Sequence, residues 1–229
     1  EEHIGFMLAP RLNALGRLGD ANSIVELLTT QDASRAKIMA LELEGLNAQR
    51  QLLTNQVFQA ALQQLEREPA LLDYPVLVLA NPTWPAGILG IVASRLVEHY
   101  QRPAILISTP SNQPGRGSAR SVEGINITQA IAEQADLLVS FGGHAMAAGL
   151  AIQPENLPLF RTSLGQAVQR QWGGNRPENK LVIDGVITLP EISRDLVDEI
   201  DRLAPFGPGN PPLILATHNL TLQAKRTIG

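Results

Sequence analysis

The sequence predicts a mixed α/β domain preceded by one long helix and followed by a short strand-rich region. Three observations predict this. Met39, Leu43, Leu46, Leu53, Val57 and Ala60 recur at alternating spacings of four and three, and no proline interrupts the pattern before Pro69. Two apolar runs of strand length, V-L-V-L-A at 76–80 and A-I-L-I at 104–107, flank a helical pattern over 87–100, the order of a strand–helix–strand unit with a parallel pair. Beyond residue 180, short strand patterns at 181–187, 213–216 and 220–224 surround a helical stretch at 191–203 and the cluster Pro205, Pro208, Pro211 and Pro212.

Composition bounds the function classes. With 229 residues, 44% of them hydrophobic, the chain can fill one large core or two smaller ones. Charged residues make up 17% and the net charge is -4, so no global basic field attracts nucleic acid and any such binding must be local. A local patch is present: residues 101–122 contain no Asp or Glu but carry Arg102, Arg116 and Arg120. Aromatic residues are only 4%, which disfavours an extended base-stacking platform and favours contacts to backbone phosphates. The absence of cysteine excludes disulfides and Cys-ligated metal sites and fits a reducing compartment, so a cytoplasmic location is expected. No apolar run reaches the roughly 18 residues of a membrane span, and the first residues lack the pattern of a signal peptide. The chain starts Glu-Glu-His without methionine, and is expected to be a piece of a longer protein.

In chain order, residues 4–30 read as short helices around a turn at Gly16 and Gly19. Asp32 is the expected N-cap of the long helix and Pro69 its stop; about 35 residues at 1.5 Å each make a rod of roughly 50 Å. Arg50 falls on the apolar seam, where it is either a snorkelling side chain or a ligand contact. Trp84 and Gly87 lie in the strand-to-helix turn, and Arg95 follows eight residues after Gly87 on nearly the same helical face. A short helical pattern over 126–135, a returning strand at 147–152 and a covering helix at 157–168 complete the domain, and G-G-N-R-P-E-N-K at 173–180 reads as a linker.

The chemistry concentrates at 110–152. If 117–121 is extended, Arg116, Ser118 and Arg120 project from one side of the strand, two guanidinium forks around a hydroxyl. Such forks match phosphate oxygens in pairs. Gly142 and Gly143 allow close backbone approach, and His144 adds a titratable donor. The same spacing also describes a solvated strand face and a glycine turn beside a satisfied histidine.

G-R-G-S-A-R-S (115–121) followed by F-G-G-H-A-M-A-A-G-L (141–150) resembles the signature of the DHHA1 domain, the phosphate-binding half of the DHH phosphoesterases, and the flanking residues resemble the RecJ-type single-stranded-DNA exonucleases of that family. The resemblance implies substrate binding by Arg116, Ser118, Arg120, Ser121, Gly142, Gly143 and His144. T-W-P-A-G-I-L-G-I-V-A-S-R-L (83–96) is similar to W-H-x-G-V-x-G-I-V-A-x-R, whose arginine faces the DNA path, which implies the same of Arg95; Pro85 replaces the usual histidine, whose role does not carry over. P-R-L-N-A-L-G-R-L (10–18) resembles the close of the DHH domain, with Asn13 and Arg17 at the rim of its cleft, and E-L-E-G-L-N-A-Q-R-Q (42–51) resembles the linker helix. L-A-P-F-G-P-G-N-P-P (203–212) resembles the entry to an OB-type domain, of which about five strands would be needed for a barrel. The implied organisation is the end of a DHH domain (1–31), a linker helix (32–69), a DHHA1 domain (70–172), a linker (173–180) and the start of an OB-type domain (181–229).

Other chemistries are missing from the sequence. There is no P-loop, dinucleotide fingerprint or H-E-x-x-H, the four histidines (His3, His99, His144, His218) are scattered, and no D-H-H run occurs. The resemblance implies Mn²⁺ or Mg²⁺ held by an upstream domain, so no metal ligand or catalytic residue is expected here and the chain alone is expected to be inactive. Three readings remain: the nucleic-acid-binding portion of a 5′-to-3′ single-stranded-DNA exonuclease of repair and recombination, a DHHA1-type oligoribonuclease or nucleotide phosphoesterase, and a non-enzymatic α/β interaction module. Under the first, the expected partners are single-stranded DNA and, for the parent enzyme, single-strand-binding protein and a RecQ-type helicase, with no membrane.

Overall fold

Asp32 caps the long helix as its position demands: its carboxylate accepts from the backbone N–H groups of Ser34 at 2.8 Å and Arg35 at 3.2 Å. The computed structural model describes residues 3–20, 22–173, 181–207, 209–221 and 223–225. Its contacts divide the chain into one unit of residues 2–177 and another of 178–229.

The first unit opens with α1 (Ala9–Leu18) and α2 (Asn22–Thr29), followed by α3 (Ala33–Arg67), after which Pro69 starts a 3-10 turn, Pro69–Asp73. α3 packs against α1 and then against α4 (Leu89–Tyr100). Its buried stripe is Met39, Leu43, Asn47, Thr54, Val57, Ala61 and Leu65. The expected seam is therefore corrected by one residue at three places: Asn47, Thr54 and Ala61 lie deeper than Leu46, Leu53 and Ala60. Two polar residues tolerate that burial because each is satisfied locally. Asn47 Oδ1 accepts from Nε and Nη2 of Arg50, at 3.3 and 3.0 Å, and the Thr54 hydroxyl donates to the Arg50 carbonyl at 2.7 Å.

A five-stranded mixed sheet follows, built from β1 (Leu77–Asn81), β2 (Ala104–Ser108), β3 (Gly115–Arg120), β4 (Leu138–His144) and β5 (Ala147–Ile152) in the order β1-β2-β3-β5-β4. β1 and β2 are parallel and joined through α4, as a strand–helix–strand unit requires, and the other pairs are antiparallel. α5 (Ile127–Ala132) and α6 (Leu157–Gln171) cover one face, closing a core of Val76, Val78, Ile105, Ile107, Ala119, Leu150, Ile152, Phe160 and Leu164. On the other face Leu77, Leu79, Ala104 and Leu106 meet Trp84, Ile88, Val92 and Leu96 from the α4 layer and Val57, Ala61 and Leu65 from α3.

The second unit holds the short parallel pair β6 (Gly185–Val186) and β7 (Leu215–Ala216), and α7 (Arg194–Asp201) capped by the Ser193 hydroxyl. The expected strands over 181–187 and 213–216 shrink to two residues each, and none forms at 220–224 among the described residues. Alternation alone cannot lengthen a strand, and the two-stranded sheet offers each only one neighbour. The expected linker lies outside the described residues apart from Gly173.

Phe160 is the largest fully buried side chain of the first core, packed on α6 against the sheet. Phe160→Ala is expected to cost about 3–5 kcal/mol, read as a lower urea midpoint with an unchanged slope.

Candidate nucleic-acid interface

Register carries the argument from strands to site. Ala104 faces Arg120, Leu106 faces Ser118 and Ser108 faces Arg116, so the β3 trio projects from the same side of the sheet as the apolar residues of β2. Continuing outward, Arg120 aligns with Ala147 and His144, Ser118 with Gly149 and Gly142, and Arg116 with Ala151 and Ser140. One face of a single sheet thus changes character at the β2–β3 boundary. The β1–β2 half is buried under α3 and α4, while the rest carries guanidiniums, small residues and an imidazole. No Asp or Glu occurs between Arg95 and Ser121 other than Glu98, and none between Asp136 and Glu155.

The two arginines of β3 do not occupy the same place. Four residues of strand separate their Cα atoms by about 13 Å. Arg116 is exposed and lines a groove of about 800 Å³ with Gln113, Ser140, Gly142, Gly149 and Ala151. Arg120 is half-buried and turns toward α4: a Cβ on Gly90 would stand 2.5 Å from its Nη2. Arg120 Nη1 donates to the Ala119 carbonyl at 2.7 Å. Beside it, a Cβ on Gly87 would collide with the Arg17 carbonyl oxygen, and Arg17 Nη1 donates to the Gly87 carbonyl at 3.1 Å. Burial first, and then the charge of Arg17, push the Arg120 pKa below its ordinary value. Gly87 in the 3-10 turn before α4 and Gly90 in its first turn therefore make room for the end of α1 and for the Arg120 guanidinium.

The remaining expected site residues divide. His144 ends β4 in the row of Arg120, two strands and about 10 Å away, and its carbonyl accepts from the Thr128 hydroxyl at 2.6 Å. Gly142 meets nothing within 4 Å of a built Cβ, so its bareness serves the open face, whereas Gly143 has φ 152° and its Cβ would strike the Ala147 carbonyl. The chain's own packing demands Gly143. Ser121 is not brought to the face: it is buried and its hydroxyl donates to the Ile125 carbonyl at 2.8 Å. Arg95 points at α3, with its guanidinium 4.2 Å from the centre of the Phe58 ring and Nη1 donating to Asn55 Oδ1 at 2.7 Å. Arg102 donates to the carbonyls of Leu72 and Tyr74, both at 2.6 Å, so its place is under β1. Asn13 is exposed on α1 one turn before Arg17.

Sequence reasoning missed Gly90 as a neighbour of the Arg120 guanidinium, and Asn47 as the partner of Arg50. The second had a signal: Asn47, Arg50 and Thr54 are consecutive polar positions in an otherwise apolar stripe.

A model of the DHHA1 domain matches residues 73–170, and a model of the RecJ OB domain matches residues 183–229. The single-stranded-DNA-specific exonuclease RecJ of Bacillus subtilis is 35% identical across 100% of this chain. The chain belongs to the RecJ family. The Escherichia coli RecJ is 32% identical over 99% of the chain. A crystal structure of Thermus thermophilus RecJ in complex with Mn²⁺ superposes with a TM-score of 0.82 at 33% identity, covering 93% of this chain and 31% of that one. A structure of exonuclease RecJ bound to manganese gives 0.65 at 35% identity, covering 73% and 41%. The chain spans 29% of the Bacillus RecJ and 40% of the Escherichia RecJ.

The glycines give a contrast that separates packing from ligand space. Gly143→Ala is expected to destabilise by about 1–3 kcal/mol and Gly142→Ala to stay within about 0.5 kcal/mol, both read from urea unfolding.

Proposed function

We propose that this chain is the substrate-gripping portion of a RecJ-type 5′-to-3′ exonuclease that acts on single-stranded DNA in repair and recombination. The observation that carries the reading is the acid-free half of one sheet face, where Arg116, Ser118 and Arg120 project in a row beside Gly142 and His144. With a net charge of -4 and few aromatic residues, the chain can hold a polyanion only by such a local arrangement of donors.

The two arginines act on different phosphates. Arg120, half-buried against α4 and beside Arg17, holds a terminal or near-terminal phosphate, which an ordered guanidinium grips with charge-assisted hydrogen bonds. Arg116, in the open groove, follows the strand one step further along its backbone. Ser118 lies between them as a hydroxyl donor, and the side-chain-free floor at Gly142 and Gly149 leaves space for sugar and base. His144 lies at the outer end of the Arg120 row as an additional donor.

Positioning is the contribution of these residues. Holding one end of the strand fixes which phosphodiester reaches the cutting groups, a gain in effective concentration rather than in chemistry. Among the described residues no three His, Asp or Glu side chains cluster closely enough to hold a metal ion. The divalent ions named in the structures of the relatives, Mn²⁺ and Mg²⁺, would supply water activation from the DHH domain of the parent enzyme. The RecJ OB match beyond residue 183 favours this reading over a short DHHA1 phosphoesterase.

Arg120→Ala is expected to weaken binding of a 5′-phosphorylated single strand by roughly 1.5–3 kcal/mol in fluorescence anisotropy, and of a 5′-hydroxyl strand much less. Lys at this position should recover only part of the loss, because the bidentate geometry is gone. The dependence on log salt should fall by about 0.7 for each phosphate contact removed. Equal affinity of wild type and variant for both strands would refute the assignment. The isolated chain, incubated with single-stranded DNA and Mn²⁺, is expected to release no nucleotides.

A further inference from the structure

α3 carries a second apolar stripe that the fold leaves exposed. Ile38, Leu41, Gly45, Ala48 and Leu52 follow one another at spacings of three, four, three and four, so they share one face of the helix. All five are exposed, the large ones Ile38, Leu41 and Leu52 by 52, 67 and 59%. At about 100° of rotation per residue, this face lies opposite the buried stripe of Met39, Leu43 and Asn47. Exposed Lys37, Glu42, Glu44, Gln49 and Gln51 border it, the flanking positions of a heptad. An apolar seam with a polar border is the surface one helix presents to another.

Gly45 is the informative position. Inside a 35-residue helix glycine is weaker than alanine, and nothing in the fold requires it here, since a Cβ at Gly45 would meet nothing within 4 Å. Gly87, Gly90 and Gly143, by contrast, are each crowded by a neighbour within the structure. A glycine at the centre of an apolar stripe, with Ala48 one turn on, makes a shallow place where a second helix axis can come close.

The extent of the stripe selects its occupant. Its five positions span about 21 Å of helix. That is far short of the roughly 20–30 residues a side that hold two separate proteins together. A segment of the same polypeptide needs much less contact, because its tether keeps it at high effective concentration. The relatives have such segments: α3 lies outside both matched domains, residues 73–170 and 183–229, and the chain spans 29% of the Bacillus RecJ and 40% of the Escherichia RecJ. The stretch ahead of α3, which neither domain covers, also exposes Ile4, Phe6, Met7, Val25 and Leu28.

We infer that the outer face of α3, centred on Gly45, seats a helix from the portion of the RecJ polypeptide beyond these 229 residues. The long helix is then held on two sides, by α1 and α4 on one and by the incoming helix on the other. The seat uses none of the residues of the proposed phosphate grip, so each stands or falls without the other.

The test places Gly45→Leu both in the 229-residue chain and in the full-length RecJ polypeptide that contains it. Opposite signs are expected: a higher melting temperature for the 229-residue chain, where leucine favours the helix and meets open space, and a lower one for the full-length protein, where it blocks the seat. The chain has no cysteine, so Ala48→Cys gives a second readout with a maleimide reagent, followed at that peptide by mass spectrometry. Relative to Gln63→Cys, three turns beyond the stripe, position 48 is expected to label about tenfold more slowly in the full-length protein than in the 229-residue chain. The same relative rate in both proteins overturns the inference. Slow labelling already in the 229-residue chain, together with elution as a dimer, assigns the face to a second copy and overturns it as well. Where full-length Gly45→Leu does not fold, or the two readouts differ, the labelling of position 48 decides.

Discussion

Gly87, in the 3-10 turn before α4, and Gly90, in its first turn, have no space for a side chain: the backbone of Arg17 fills one position and the guanidinium of Arg120 the other. The arrangement of the arginine-bearing sheet face depends on this close approach. It brings the end of α1 onto the sheet domain, and it lets a charged side chain from β3 lie under a helix that elsewhere covers only apolar residues. A methyl group at Gly87 would push α1 away from the turn, and one at Gly90 would displace Arg120 toward solvent. The boundary between the apolar core and the arginine-bearing face therefore lies at the first turn of α4 and the turn before it.

Electrostatics follows from that geometry. A chain with net charge -4 cannot attract nucleic acid as a whole, but the guanidiniums of Arg17 and Arg120 at the start of α4, with no carboxylate paired to either among the described residues, create a local positive field. Such a field selects charge density rather than base identity. The low aromatic content and the bare Gly142–Gly149 floor fit recognition through phosphate rather than through stacking.

Much of this architecture is legible from short-range rules. The Asp32 cap, the stop at Pro69, the parallel pair around α4 and the one-sided display of Arg116, Ser118 and Arg120 all follow from periodicity and capping chemistry. The losses share a cause, which is that tertiary partners decide where a polar side chain points. Ser121 belongs to the same motif as Ser118, yet it follows the last residue of β3, where its buried hydroxyl takes the Ile125 carbonyl as its partner. Arg95 matches a motif whose arginine faces DNA, yet Phe58 and Asn55 of α3 hold its fork. Arg50 is legible as a polar position on an apolar seam, while the buried Asn47 that receives its N–H groups is not, because the seam runs one residue away from the expected one. In the second unit, alternation promised longer strands than a two-stranded pairing supports.

The central claim is that the sheet face beyond β2, together with the end of α1, is the surface that meets phosphate. The most direct measurement is an NMR titration of the arginine Nε–Hε signals with a 5′-phosphorylated thymidine oligonucleotide. The account predicts large shifts for Arg17, Arg116 and Arg120 and almost none for Arg161, which donates to the Val78 carbonyl from α6 on the opposite face. Shifts confined to Arg161 and Arg170, with Arg116 and Arg120 unmoved, would contradict it.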